Sequence, residues 1–261
     1  MNKLRIDAER YPATHILIAT LLTVGIISLP LSLLFDLFCG DKTSLFLSQI
    51  TLRIVLIIFS IITIRKYQFK VFNKFSLSDC VVTLILALMV VVNNFPIIGM
   101  ITGDVKVVEN GIMIFLFVLN CLVIALAEEL IFRGIILPLC EIAFNNKKYK
   151  TLLSIIVSSS IFALTHLINV FNGASIGAVL LQLGYSFLIG AMLCICLKKT
   201  KNIMSCVVLH FIYNIGGLFC DKNIGIATGN QWDVLTILIT IVLGVFANVW
   251  FVIILLRKNN Q

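Results

Sequence analysis

Eight stretches of this chain are apolar for about the length of a membrane crossing, at roughly 14–38, 44–64, 80–101, 112–139, 151–171, 174–197, 202–220 and 234–256. A helix advances about 1.5 Å per residue, so about 20 such residues span the hydrocarbon layer. With 60% hydrophobic and 12% charged residues, the chain lies outside the composition of a soluble domain. The runs consume most of the length and leave no room for a separate soluble unit. The sequence therefore reads as an all-α polytopic membrane protein with about eight transmembrane helices, residues 1–261 forming a single membrane domain.

If the runs cross in alternation, the basic residues sort onto one side. Lys3, Arg5, Arg10, Arg65, Lys66, Lys70, Lys74, Lys147, Lys148, Lys150, Lys198, Lys199, Lys201, Arg257 and Lys258 share a side, against Lys42, Lys106 and Lys222 on the other. That asymmetry places the richer side, and both termini, in the cytosol. It also accounts for the net charge of +8 without a nucleic-acid partner. The first run is too long for a signal-peptide core and reads as a spanning helix that stays. The eight cysteines lie mostly within or beside apolar runs and lack paired CxxC spacing, so they read as small buried apolar residues.

Charge inside these runs is scarce, and a charged side chain at the bilayer centre costs roughly 2.5–3.5 kcal/mol on insertion scales. The fourth run nevertheless contains Glu128, Glu129 and Arg133. Glu129 and Arg133 lie one helical turn apart and can neutralise each other, whereas Glu128 points about 100° away. Of the three histidines, His15 sits at the entry of the first run and reads as an interfacial polar residue, while His166 and His210 lie inside the fifth and seventh runs. Counted from the cytosolic ends of their runs, Glu128, His166 and His210 lie roughly 16, 22 and 12 Å deep, with Asn214 one turn beyond His210 at roughly 18 Å. Four polar groups from three helices can therefore share one layer. Arg53, in the second run, is expected to pair with Asp36 across the first hairpin.

The ordered motifs Glu128-Glu129-x-x-x-Arg133, Phe162-x-x-x-His166 and His210-x-x-x-Asn214 resemble those of the CPBP family. That family comprises the CAAX prenyl endopeptidases and the bacteriocin-processing, "abortive infection" membrane proteases. The resemblance covers about residues 112–220, and no motif is matched in the first three helices. It implies an intramembrane endopeptidase with a cavity open to the cytosol. By the same resemblance Glu128 is the general base for water, His166 orients or helps bind that water, His210 and Asn214 stabilise the oxyanion, and Glu129 with Arg133 support the site. Glu128, His166 and His210 are also a legitimate zinc set, and the sequence leaves a zinc mechanism and a metal-free glutamate mechanism both open.

A peptide or protein-tail substrate, contact with membrane lipid and a bacterial cell membrane complete the expectation, the last resting on the Ile-, Asn- and Lys-rich composition. Two other classes compete. A non-catalytic immunity or scaffold protein would be expected to have lost motif residues, which this chain keeps. A proton-coupled transporter would be expected to show duplicated halves or paired broken helices, which the sequence lacks.

Overall fold

The computed structural model describes residues 3–74, 80–171, 173–230 and 234–258. Each apolar run becomes helical, and prolines and glycines decide where a run breaks. A short polar helix, α1 (Lys3–Arg10), precedes the first run, which forms α2 (Pro12–Ile27) and, past Pro30, α3 (Ser32–Phe35). The second is the unbroken α4 (Asp41–Tyr67). The third divides at Pro96 into α5 (Val81–Val92) and α6 (Ile97–Thr102), since proline cannot continue the hydrogen-bond ladder. The fourth is α7 (Gly111–Ile131), a π-helical turn (Phe132–Ile136) and α8 (Leu137–Ala143). The fifth is α9 (Lys150–Thr165), tightening into a 3₁₀ turn (His166–Val170). The last three are α10 (Ile176–Thr200), α11 (Ile203–Gly217) and α12 (Val234–Lys258). Strands β1 (Lys106–Val107) and β2 (Ala227–Thr228) pair antiparallel between the helices.

Five of these helical stretches, Pro12–Phe35, Asp41–Tyr67, Gly111–Ala143, Lys150–Val170 and Ile176–Thr200, are long and apolar enough to cross a membrane. Val81–Val92, Ile203–Gly217 and Val234–Trp250 are apolar but shorter. Large apolar side chains such as Leu17, Leu21, Ile58, Ile62, Val242 and Phe246 face outward. Such faces suit lipid rather than water, and the chain is a multi-pass integral membrane protein. The described cysteines form no disulfide, and six of the eight are buried.

The interior is built on α7, which packs against α4 on one side and α11 on another, while α10 packs on α9, α11 and α12. Helices α4 and α7 run parallel in a constant register. Asn120 Nδ2 donates to Gln49 Oε1 at 2.8 Å, 71 residues away, and farther along, a Cβ on Gly134 would stand 2.6 Å from Ile64 Cδ1. The main core runs through Leu130–Leu137 except for Arg133 and Gly134, and through Ala191–Leu197. Helix α1 lies against α2, α4 and α8, with Arg5 donating to the Tyr67 carbonyl at 2.8 Å. His15 Nδ1 and the Tyr67 hydroxyl are 2.6 Å apart, and His15 Nε2 stands 3.0 Å from Asp7 Oδ2. His15 is thus a tie between α1, α2 and α4 rather than a lone interfacial residue.

The expected Arg53–Asp36 pair does not form: among the described residues no ion pair or hydrogen bond joins them. The chain turns at Gly40 as expected, but the face of α4 bearing Gln49 and Arg53 is turned to α7. Under the Gln49–Asn120 register Arg53 stands level with Ile124, one turn before Glu128.

Candidate active site

The site starts where α7 stops being regular. Pro138 has no N–H to give the Gly134 carbonyl, and its ring would crowd that carbonyl in a regular α-helix. The chain widens into the π turn Phe132–Ile136 just before it, with Leu137 N–H donating back to Phe132 O. The same carbonyl accepts a second hydrogen bond, 3.1 Å, from Ser158 Oγ of α9. Arg133 sits in this turn, and Glu128 and Glu129 in the last turn of α7.

The two glutamates have unlike surroundings. Glu129 is 0% exposed and its Oε1 takes two partners, Arg133 Nη1 at 2.9 Å and His210 Nδ1 at 2.6 Å. Arg133 is 1% exposed. Its Nη2 donates to Gly190 O at 3.2 Å and its guanidinium lies 4.6 Å from the centre of the Phe162 ring, a favourable cation–π placement. The arginine so joins α7, α9 and α10 around one carboxylate. Glu128 is 24% exposed, and its Oε2 stands 3.6 Å from His210 Nε2, too far for a direct hydrogen bond. The helix register sets Arg53 of α4 one turn before it, and Arg133 lies in the turn that follows. A buried carboxylate clamped by two partners and a half-open one without a clamp are therefore adjacent in sequence.

The imidazoles are aimed by their other nitrogens. Beside the arginine-paired carboxylate of Glu129, His210 Nδ1 is the donor, which turns Nε2 towards Glu128. His166 opens the 3₁₀ turn, and its Nδ1–H donates to Phe162 O at 3.0 Å, leaving Nε2 as the acceptor. Asn214 lies one turn past His210 on α11, and its Nδ2 is buried without a hydrogen-bond partner among the described residues. A buried amide donor left unpaired is costly and calls for an explanation. Helix α11 is held by Asn94, which donates to Tyr213 O at 2.7 Å. Gly216 allows the approach, since a Cβ there would stand 2.7 Å from the Phe95 ring.

Glu129 thus contacts both Arg133 and His210, Glu128 stands 3.6 Å from His210, and His166 joins them through Phe162 rather than directly. The Phe162 ring meets His166 at 5.1 Å, His210 at 5.9 Å and Phe132 at 4.9 Å, each edge-on. No hydrogen bond or ion pair links His166 to Glu128 among the described residues. Sequence reasoning missed Phe162 as the hub, although it stands in the quoted Phe-x-x-x-His motif. It also missed Arg53 and Gly190, where a Cβ would press to 3.1 Å from Phe162 and 3.2 Å from Ser159. The donor types of Glu128, His166 and His210 suit zinc. Among the described residues, however, no group of three His, Cys, Asp or Glu side chains is arranged to hold a metal.

The fold and site define a polytopic helical membrane protein with a carboxylate–imidazole–amide cluster built from α7, α9 and α11. Residues 110–216 match the Rce1-like family model, described as type II CAAX prenyl endopeptidase Rce1-like. The match runs from the cap of α7 to the last turn of α11 and contains every site residue expected from the sequence, so this core is similar to that family over residues 110–216. Neither the curated proteins nor the solved structures contain a match to the chain.

Proposed function

We propose that this chain is an intramembrane endopeptidase that hydrolyses a peptide bond with water activated by Glu128. Its substrates are peptides or protein tails presented at the basic, cytosolic face, either CaaX-like or bacteriocin-type precursors, and its setting is a bacterial cell membrane with both termini inside. The observation that carries the reading is the division between adjacent carboxylates. Glu129 is consumed by Arg133 and His210, while Glu128 is half-open beside His210 Nε2.

In the reaction Glu128 takes a proton from water as the water oxygen bonds to the scissile carbonyl carbon. His166, an acceptor at Nε2, holds the second water proton and so fixes the direction of attack. The carbonyl oxygen becomes an oxyanion that accepts from the unpaired Asn214 Nδ2, a contact worth about 2.7–4 kcal/mol in a dry site. His210 adds a second donor when Nε2 carries a proton. The C–N bond then breaks, and the proton held by Glu128 passes to the leaving amine. No step passes through a metal.

The test is Glu128→Gln, which keeps the size and removes the base. Cleavage of a membrane-presented peptide is expected to fall about 10²–10⁴-fold at unchanged membrane abundance. Unchanged cleavage would remove Glu128 as the base and end this reading, and a cellular phenotype untouched by the substitution would favour the non-catalytic scaffold.

A further inference from the structure

A cavity of about 410 Å³ opens at the basic end of α4, outside the candidate active site. Its polar lining is Arg65, Gln68 and Lys70, and its apolar walls include Ile61, Phe69 and Phe72. None of the described residues that line it is acidic. Arg65 and Lys70 are exposed and enter no ion pair or hydrogen bond from their side chains among the described residues. Arg5, just beyond, is already engaged by Glu9 at 2.6 Å and by the Tyr67 carbonyl, with its guanidinium over Phe69. Two cations without counter-ions among the described residues thus stand over an apolar hollow.

The hollow is also fixed in shape. Gln68 adopts a left-handed conformation, φ +57°, turning the chain at the end of α4. The connector that follows is pinned to the start of α11: Ile203 N donates to Val71 O at 2.8 Å, and Asn202 Nδ2 to Asn73 O at 2.7 Å. The position is the last turn of a helix long and apolar enough to span, at the depth of lipid headgroups. From the hollow the outward face of α4 continues through Ile62 and Ile58, both exposed.

From this combination we infer that the cavity is a binding site for one anionic phospholipid, its phosphate between Arg65 and Lys70 and its acyl chains along Ile61, Phe72 and the outer face of α4. The apolar walls and their continuity with the lipid-facing side of α4 favour a lipid over a soluble phosphate. The site does not depend on the protease reading.

The test is native mass spectrometry of the full chain with phosphatidylglycerol and phosphatidylcholine of identical acyl chains. The wild type is expected to retain phosphatidylglycerol preferentially. The double variant Arg65→Gln/Lys70→Gln should lose that preference by roughly thirtyfold, from the usual contribution of two interfacial cations. The variant Lys147→Gln/Lys148→Gln, on another basic loop, should keep it. Retained preference in the first variant, or equal loss in both, overturns the site. So does displacement of the lipid by millimolar inorganic phosphate, which would mark a soluble-anion site instead. Because Arg65 and Lys70 are exposed, both variants should melt with the wild type, and a shared melting point separates lost binding from lost fold.

Discussion

Glu128→Gln and Glu129→Gln are isosteric changes at neighbouring positions, and the structure requires them to fail in different ways. Glu129 is fully buried and its Oε1 contacts both Arg133 and His210. Neutralising it leaves the Arg133 guanidinium in the interior with the Gly190 carbonyl and the Phe162 ring as its remaining neighbours. Breaking a buried pair from one side costs about 3–5 kcal/mol, because the surviving charge is uncompensated. The cation–π contact offsets part of this, so the lower end is expected. For a chain of this size about 3 kcal/mol lowers the melting temperature by roughly 6–12 °C. Glu128, by contrast, is 24% exposed and unclamped, so its substitution should leave melting within about 2 °C of wild type. The assay is thermal unfolding in a mild detergent beside peptide cleavage on the same preparations. A double variant, Glu129→Gln/Arg133→Gln, should be less destabilised than the two single losses added together, by about 0.5–3 kcal/mol of coupling. If Glu129→Gln melts with the wild type while Glu128→Gln collapses, the roles assigned to the two carboxylates are reversed and the reasoning fails.

Three further outcomes are expected. Arg53→Met should lower cleavage about ten- to hundredfold at normal abundance, through the loss of about 1–3 kcal/mol of charge interaction with Glu128, while Asp36→Asn should leave cleavage unchanged; equal effects would restore an Arg53–Asp36 pairing. Gly190→Ala should destabilise by about 1–3 kcal/mol in the same melting assay, because the new methyl meets Phe162 and Ser159 at 3.1 and 3.2 Å, and an unchanged melt would show that Phe162 can yield. His166→Ala should cut cleavage about a hundredfold or more, whereas His15→Ala should cost about 1 kcal/mol of stability through its contacts to Tyr67 and Asp7 and leave cleavage near wild type; the reverse order in a cleavage assay would misplace the site.

The contrast between what the sequence yielded and what it withheld follows from the range of the forces involved. Hydrophobic runs are local and additive, so all eight could be marked from composition, and all eight are helical. The Glu129–Arg133 contact was equally legible, being set by one turn of a single helix. Arg53 was not. Its assignment to Asp36 used proximity along the chain, whereas its neighbour is decided by the register of α4 against α7, which Gln49, Asn120, Ile64 and Gly134 set together. The π turn stood between these cases, because Pro138 announced a disturbed helix but not whether it would kink or widen.

That widening bears on why a site can exist here at all. A regular α-helix carries its side chains round by 100° per residue, and one extra residue in a turn displaces everything beyond it. Arg133 lies within the wide turn, yet its guanidinium still reaches back to Glu129, the Gly190 carbonyl and the Phe162 ring at once. The carbonyl of Phe132, placed where the ladder changes, is satisfied twice, by Leu137 and by Ser158 of α9. The irregular backbone is therefore compensated from inside the bundle, as a membrane interior demands. One glutamate is consumed in stabilising the junction, and its neighbour, 100° around the helix, is left half-open beside the imidazole that the first one orients. On the proposed function, the pair Glu128-Glu129 divides into a structural and a chemical carboxylate, set apart by the 100° that separates neighbours on one helix.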